Sequence, residues 1–215
     1  MSFSKSDAAL NSWSDDSGEW MYRPLRPNFT RALTDNDRKG WKPHEKLQAW
    51  FKAVPVLQDM RVGKTGPHQA EVSSFYSLIE GRAGLVITYT IHANGLIGVD
   101  YELEADPGLP NIPRIGMQCG IRNECRTISW YGRGPQENYL DRRYGADAGI
   151  YTLEVEDFIE PYVNPQENGN RTDVRWMYLS PGKEKGMLVV ADSLLSMSVW
   201  PWSQENIDAA RHTFD

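Results

Sequence analysis

Hydrophobic and polar residues alternate with a period of two along much of the chain from residue 70 onwards. In residues 85–92, alternate positions are Leu, Ile, Tyr and Ile, and Asn94-Gly95 then leads into a second alternating stretch over 96–103. Alternation around an Asn-Gly pair is typical of a β-hairpin. Further segments predicted to form strands are 114–121, 126–131, 151–155, 174–179, 187–190 and 196–200.

Helical periodicity is confined to short segments. The residues Leu47, Trp50, Phe51 and Val54 recur at helical spacing after Pro43, and Pro55 ends the stretch, which predicts a helix between the two prolines. Ser203 is a good N-cap for a second, shorter helix. Strands and helices do not alternate regularly, which disfavours a parallel α/β sheet. The pattern predicts an all-β fold, a large antiparallel sandwich with one or two short helices.

The length of 215 residues suits one large β-sandwich or two small domains, and because no low-complexity linker interrupts the chain we expect a single domain over residues 1–215. The net charge of −6 and the absence of a basic block argue against a nucleic-acid partner. No apolar stretch reaches the length of a membrane span, which argues against a membrane partner. Eight Trp and ten Tyr suit sugar stacking, although burial is the commoner use of aromatic residues.

Three polar clusters carry the candidate chemistry, at 29–37, 130–142 and 161–173. Each combines acidic, amide and Arg side chains with Gly or Pro, and such groups offer the directed donors and acceptors that sugar hydroxyls require. The residues predicted to bind carbohydrate or line a cleft wall are Arg31, Asp35, Asn36, Glu137, Asn138, Glu167, Asn168 and Arg171. The tetrapeptide Pro-Gln-Glu-Asn occurs at 135–138 and again at 165–168, which is too short to establish a repeat.

Two interpretations of Glu137 and Glu167 are open. They could be the acid and nucleophile of a glycosidase, which in a retaining enzyme lie about 5 Å apart. Alternatively, they accept hydrogen bonds from arginines of the clusters and lock loop crossings, which is the interpretation we favour; the candidate donors are Arg31, Arg133, Arg142 and Arg171. Asp35 and Asp37 lack the Gly and downstream Glu of a calcium loop, so no metal site is predicted.

The clusters resemble a known family. Residues 23–37 (RPLRPNFTRALTDND) are similar to the opening of the last domain of glycoside hydrolase family 2 β-galactosidases. Residues 130–139 (WYGRGPQENY), followed by Asp141-Arg142, resemble the middle signature of that domain. Residues 161–163 (PYV) and 165–171 (PQENGNR) resemble a third stretch in the same order, so the resemblance covers nearly the whole chain.

The resemblance implies a supersandwich related to galactose mutarotase, forming the small-chain portion of a retaining β-galactosidase. The two catalytic glutamates of that family lie in a separate (β/α)-barrel, so this chain alone is expected to be inactive and to supply no catalytic residue. It implies no cofactor here, and a divalent cation, where the larger enzyme uses one, belongs to the barrel. Expected partners are the remaining domains, a galactoside bound through the whole enzyme, and further copies in a homo-oligomer. Cytoplasmic and periplasmic locations both stay open.

The chain departs from the family at its end. In relatives this domain continues to a loop whose Trp meets the galactose, and residues after Asp215 would have to supply it. We therefore expect a truncated fragment, with an unpaired sheet edge that is swapped, dimerised or locally disordered. Two other functions stay open: a stand-alone carbohydrate-binding module using loop aromatics with Asn168, Asn170 and Arg171, and a mutarotase-like enzyme using a His and a Glu.

Overall fold

The computed structural model describes residues 1–182 and 185–212. It consists mainly of antiparallel β-sheets with a few short helices, which confirms the predicted all-β class. Residues of the chain form two compact units, Met1–Thr30 with Lys42–Gly120, and Arg31–Trp41 with Ile121–Asp215. The prediction of one domain over residues 1–215 stays a prediction, and Thr213, Phe214 and Asp215 at the end of the chain lie outside the described residues.

Unit one contains two four-stranded sheets and a small hairpin. The first sheet has the order β1-β2-β5-β10, formed by Ser2–Phe3, Leu10–Ser12, Met21–Asn28 and Gly116–Ile121. The hairpin pairs β3 with β4, which are Ser14–Asp15 and Gly18–Glu19. The second sheet has the order β6-β7-β8-β9, formed by Val56–Gly66, Gln69–Leu78, Ala83–His92 and Ile97–Ala105.

The alternation in the sequence corresponds to the two faces of the second sheet. Leu85, Ile87 and Tyr89 of β8 are buried, and the side chains between them are half-buried on the other face. Residues opposite one another on antiparallel strands point to the same face. Ile87 therefore lies beside Ser74 of β7, and Tyr89 beside Val72, in the core of this unit. The predicted β8–β9 hairpin around Asn94-Gly95 is confirmed.

The helix predicted between Pro43 and Pro55 is present only as two single turns. These are α1, Pro43–Lys46, and α2, Gln48–Phe51. Leu47 interrupts the helix with non-helical backbone angles (φ −110°, ψ 28°). Trp50 is buried against Phe29, with 5.7 Å between ring centroids, whereas Val54 lies beyond the helix and is exposed.

Unit two is built on one four-stranded antiparallel sheet of order β12-β11-β13-β14. Its strands are Thr127–Gly134 (β11), Asp147–Glu154 (β12), Arg171–Ser180 (β13) and Met187–Met197 (β14). Two short helices accompany it, Val155–Phe158 (α3) and Gln204–Ala209 (α4). The predicted N-cap Ser203 accepts a hydrogen bond from the Asn206 N–H at 3.2 Å. The two strands predicted at 187–190 and 196–200 are one strand that ends at Met197.

Among the described residues, no helix has both the length and the apolar character needed to cross a membrane.

Candidate functional site

The polar clusters at 130–142 and 161–173 meet in unit two, because β11 and β13 are antiparallel neighbours, and residues 31–37 of the first cluster belong to the same unit. Tyr131 lies opposite Trp176, so the end of β11 lies beside the beginning of β13. The segment 135–142 leaves the first strand at this end of the sheet, and the segment 161–170 enters the second there. We call these two segments, together with 31–37 and the first residues of β13, the polar loop site.

Glu137 joins the two long segments of this site. One of its carboxylate oxygens, Oε1, accepts hydrogen bonds from the Arg142 guanidinium and the Tyr162 hydroxyl. The other, Oε2, accepts from the Gly169 N–H at 2.8 Å. The glutamate side chain is 5% exposed, whereas that of Arg142 is 51% exposed. A buried carboxylate with donors at both oxygens acts as a brace between loops.

The same contacts raise the pKa values of two partners of Glu137. The hydrogen bond with Tyr162 and the charge of Glu137 raise the pKa of Arg142, against the opposing effect of burial. Burial and the hydrogen bond to Glu137 raise the pKa of Tyr162. Gly169 has a left-handed backbone (φ 69°), and a β-carbon there would lie 3.1 Å from the Phe158 carbonyl oxygen. The glycine thus allows the close approach that brings its N–H to the carboxylate.

Asn138 fixes the same two segments through a second set of hydrogen bonds. It is 1% exposed, and its Oδ1 accepts from the Thr172 N–H (2.9 Å) and hydroxyl (2.6 Å). Its main-chain N–H donates to the Asn170 carbonyl oxygen, and its own carbonyl oxygen accepts from the Asn170 side-chain amide at 2.7 Å. These bonds satisfy polar groups that would otherwise be buried unpaired.

The two Pro-Gln-Glu-Asn segments share one side-chain hydrogen bond. The side-chain amide of Asn138 donates to the Gln136 carbonyl oxygen at 3.0 Å, and that of Asn168 donates to the Gln166 carbonyl oxygen at 2.9 Å. Each asparagine side chain is thus bonded to the carbonyl oxygen of the residue two positions before it. One shared hydrogen bond does not make the tetrapeptide a repeat.

Arg171 is a buried cation at the base of the site. It is 1% exposed, and its guanidinium lies 4.2 Å from the Phe158 ring centroid and 5.4 Å from that of Trp130. It donates to the Phe158 and Asn170 carbonyl oxygens at 3.3 and 3.4 Å. Burial lowers the pKa of Arg171 to about 10, and the charges of Glu137 and Glu160 oppose that shift. Aromatic faces and carbonyl oxygens both stabilise a guanidinium.

The cluster near residue 35 joins the site through side-chain contacts with the third cluster. The Asp35 N–H donates to the Gln166 side chain at 3.1 Å, and its carboxylate accepts from the Asn164 amide at 2.8 Å. Arg31 forms a 2.8 Å ion pair with Asp37, which is buried. Asn36 is exposed.

The structure brings most of the predicted residues together as a hydrogen-bonded scaffold. Glu137, Asn138, Glu167, Asn168 and Arg171 are all buried, from 1% to 8% exposed. Arg31 and Asp35 lie at the margin of the site. Of the tryptophans considered for sugar stacking, Trp20 and Trp130 are buried, and Trp200 donates its indole N–H to the Asn168 carbonyl oxygen. Carbohydrate binding by these residues stays a prediction.

Several contributors were missed as site residues by sequence reasoning, among them Gly169, whose N–H donates to Glu137. The Tyr162 hydroxyl and Thr172 gave no pattern of their own, although both lie inside the third cluster. Asp173, with a left-handed backbone (φ 54°), accepts from Arg133 at 2.5 Å. Arg133 also donates to the Ala146 carbonyl oxygen, which ties the 143–146 turn to the sheet. The density of Arg and acidic residues in the clusters was the only available signal for this second brace.

Comparison with known proteins shows the family of the chain. A family model described as beta galactosidase small chain matches residues 1–215. The chain belongs to the β-galactosidase small-chain family. The resemblance of the three polar clusters to β-galactosidases is thereby confirmed.

Curated relatives of this small chain are β-galactosidases of several bacteria. It is 33% identical over 215 residues to a β-galactosidase of Priestia megaterium, covering 99% of this chain and 20% of the relative. It is 31% identical to β-galactosidase BgaC of Bifidobacterium adolescentis, covering 98% and 21%. It is 32% identical to a β-galactosidase of Lactobacillus delbrueckii subsp. bulgaricus, covering 92% and 20%. The chain spans about a fifth of the length of the curated relatives it matches.

Proposed function

We propose that this chain is a non-catalytic part of a β-galactosidase, in which the polar loop site braces a β-sheet platform that forms part of the cleft wall. The complete enzyme would hydrolyse terminal β-galactosides with retention, through a covalent glycosyl-enzyme intermediate. The carboxylates that break the bond would belong to another part of the polypeptide.

The observation that carries this proposal is the hydrogen bonding of Glu137. A glycosidase nucleophile needs an oxygen directed at the anomeric carbon, and the partner acid needs access to the leaving group. Both oxygens of Glu137 instead accept from donors of the same unit, namely Arg142, Tyr162 and Gly169. A carboxylate bonded in this way supports a role in holding loops together.

The partners follow from the same proposal. They are the remaining portion of the enzyme, a galactoside bound through that enzyme, and further copies in a homo-oligomer. We propose no cofactor for this chain, and a divalent cation would bind in the barrel. In residues 1–182 and 185–212, no group of three or more His, Cys, Asp or Glu side chains is arranged to share a metal ion.

The test is a turnover measurement on the purified 215-residue chain with a chromogenic galactoside. We expect no rate above buffer, and no galactoside affinity by calorimetry. Hydrolysis that disappears in Glu137→Gln or Glu167→Gln would overturn the proposal. Measurable affinity without hydrolysis would favour a carbohydrate-binding module, and galactose anomerisation detected by polarimetry would favour a mutarotase-like enzyme.

A further inference from the structure

A row of apolar side chains crosses one face of the sheet in unit two. The antiparallel register places Ile150 opposite Tyr131, Tyr131 opposite Trp176, and Trp176 opposite Val190. Since paired residues share a face, one side chain from each of the four strands lies in this row. Ile150 is 69% exposed and Val190 is 65% exposed at its two ends. This face is the opposite of the one that buries Trp130.

A second row extends the same surface. Ser129 lies opposite Thr152 on one side and Tyr178 on the other, and Tyr178 lies opposite Leu188, which is 54% exposed. Between the rows is a shallow, mainly apolar depression lined by Ser129, Trp176, Tyr178, Leu188 and Val190. We call the two rows together the apolar face. Contiguous exposed surfaces of this kind mark interaction sites.

The chemistry of the apolar face fits a protein partner better than a sugar. The hydroxyls of Ser129 and Thr152 are hydrogen-bonded to each other at 2.8 Å. A sugar site needs several directed polar groups beside its aromatic platform. Neither row contains a carboxylate, in a chain with 29 acidic residues, and the Arg175 guanidinium lies 4.7 Å from the ring centroid of Tyr131. Depletion of acidic side chains with enrichment of Tyr, Trp and Arg is typical of the core of a protein interface.

The lengths of the relatives indicate a partner for the apolar face. The matched stretch is 20% of the Priestia megaterium enzyme, so about four-fifths of that polypeptide lies outside it. The geometry points to the apolar face as the surface on which this chain docks against an apolar surface of that remaining four-fifths. The inference rests on the proposed function, which it deepens by naming the docking surface.

The test uses the intact 215-residue chain and the polypeptide of that relative without its matched stretch, with binding measured by interferometry. Val190→Glu places a carboxylate at one end of the apolar face, and Ile150→Glu does the same at the other end. Val62→Glu is the matched control, because Val62 is 70% exposed and lies on β6, which like β14 is at the edge of its sheet. Circular dichroism and thermal melting check that each variant folds.

We expect the unaltered chain and Val62→Glu to bind equally well. Val190→Glu and Ile150→Glu should each bind at least about tenfold more weakly, because they bury a charge in an apolar contact. Equal binding by all variants would overturn the inference about the docking surface. The proposed function would survive that result if the same mixture regained galactoside turnover. An unaltered chain that does not bind would also overturn it, as would self-association through this face in sedimentation, which would make the partner a second copy.

Discussion

Replacing Glu137 with glutamine probes the brace in the polar loop site directly. The change preserves shape but removes the charge and turns one acceptor oxygen into a donor. The new NH₂ group must face either the Gly169 N–H or the pair formed by Arg142 and Tyr162. All three are donors, so on either side a donor would face a donor. A hydrogen bond to a charged group contributes about 1.5–3 kcal/mol. Because half of the Arg142 side chain is exposed, solvent replaces part of its contribution.

We therefore expect Glu137→Gln to lower the free energy of unfolding by about 2–3 kcal/mol. In a chain of this length that corresponds to a fall in Tm of about 4–12 °C. Urea unfolding followed by tryptophan fluorescence measures the loss, and hydrogen exchange should show faster exchange of the Gly169 amide. Asp192→Asn makes the same chemical change at an exposed position of β14, and should stay within about 0.5 kcal/mol of the original chain. Equal stability of the two variants would refute the brace.

Three further substitutions test other parts of the site and its sheet. Asn138→Ala removes three side-chain hydrogen bonds and should cost about 3 kcal/mol in urea unfolding, whereas Asn36→Ala, at an exposed position, should cost less than about 0.5 kcal/mol. Gly132→Ala should cost about 1–3 kcal/mol, because its β-carbon would lie 2.9 Å from the Val174 backbone, whereas Gly84→Ala, with open space, should be near neutral. The Asn164 hydrogen bond and the charge of Lys39 lower the pKa of Asp35 from 3.8. The stability that ionised Asp35 contributes is therefore present above that pH and is lost as the pH falls through the lower pKa of the folded state. Asp35→Asn should accordingly reduce the fall of the urea midpoint between about pH 5 and about pH 2.

Strand β8 could be predicted from the sequence because one of its faces is buried. In β8 the burial of Leu85, Ile87 and Tyr89 produces the alternation directly. Strand β6, Val56–Gly66, was not predicted because most of its side chains are exposed on both faces at the edge of the sheet. Its sequence contains Gly63, Lys64 and several other polar residues, so no period of two arises.

The helix predicted before β6 shows a different limit of prediction from sequence. Leu47, Trp50 and Val54 have the spacing of one helical face, but only the first two are buried. Packing of Trp50 against Phe29 and its indole hydrogen bond to the Pro110 carbonyl oxygen fix a short turn. These contacts come from residues distant in sequence, and tertiary contacts of this kind override local spacing.

The residues of the candidate site could be predicted better than the hydrogen bonds that join them. The pairing of Glu137 with Arg142 was among the predicted possibilities, since the two lie five positions apart in one cluster. The bond from Thr172 to Asn138 spans 34 positions, and that from Tyr162 to Glu137 spans 25. No local spacing rule relates such residues, because their proximity depends on the register of β11 against β13.

The most direct test of the central claim is kcat for a chromogenic galactoside in an enzyme reassembled from this chain and the remaining four-fifths of a relative. The measurement compares the unaltered chain with Glu137→Gln, well below both melting temperatures. A brace predicts kcat values within about twofold of each other, with the difference appearing only in thermal stability. A loss of kcat by a factor of about a thousand or more, with the assembly intact, would show that Glu137 takes part in bond cleavage.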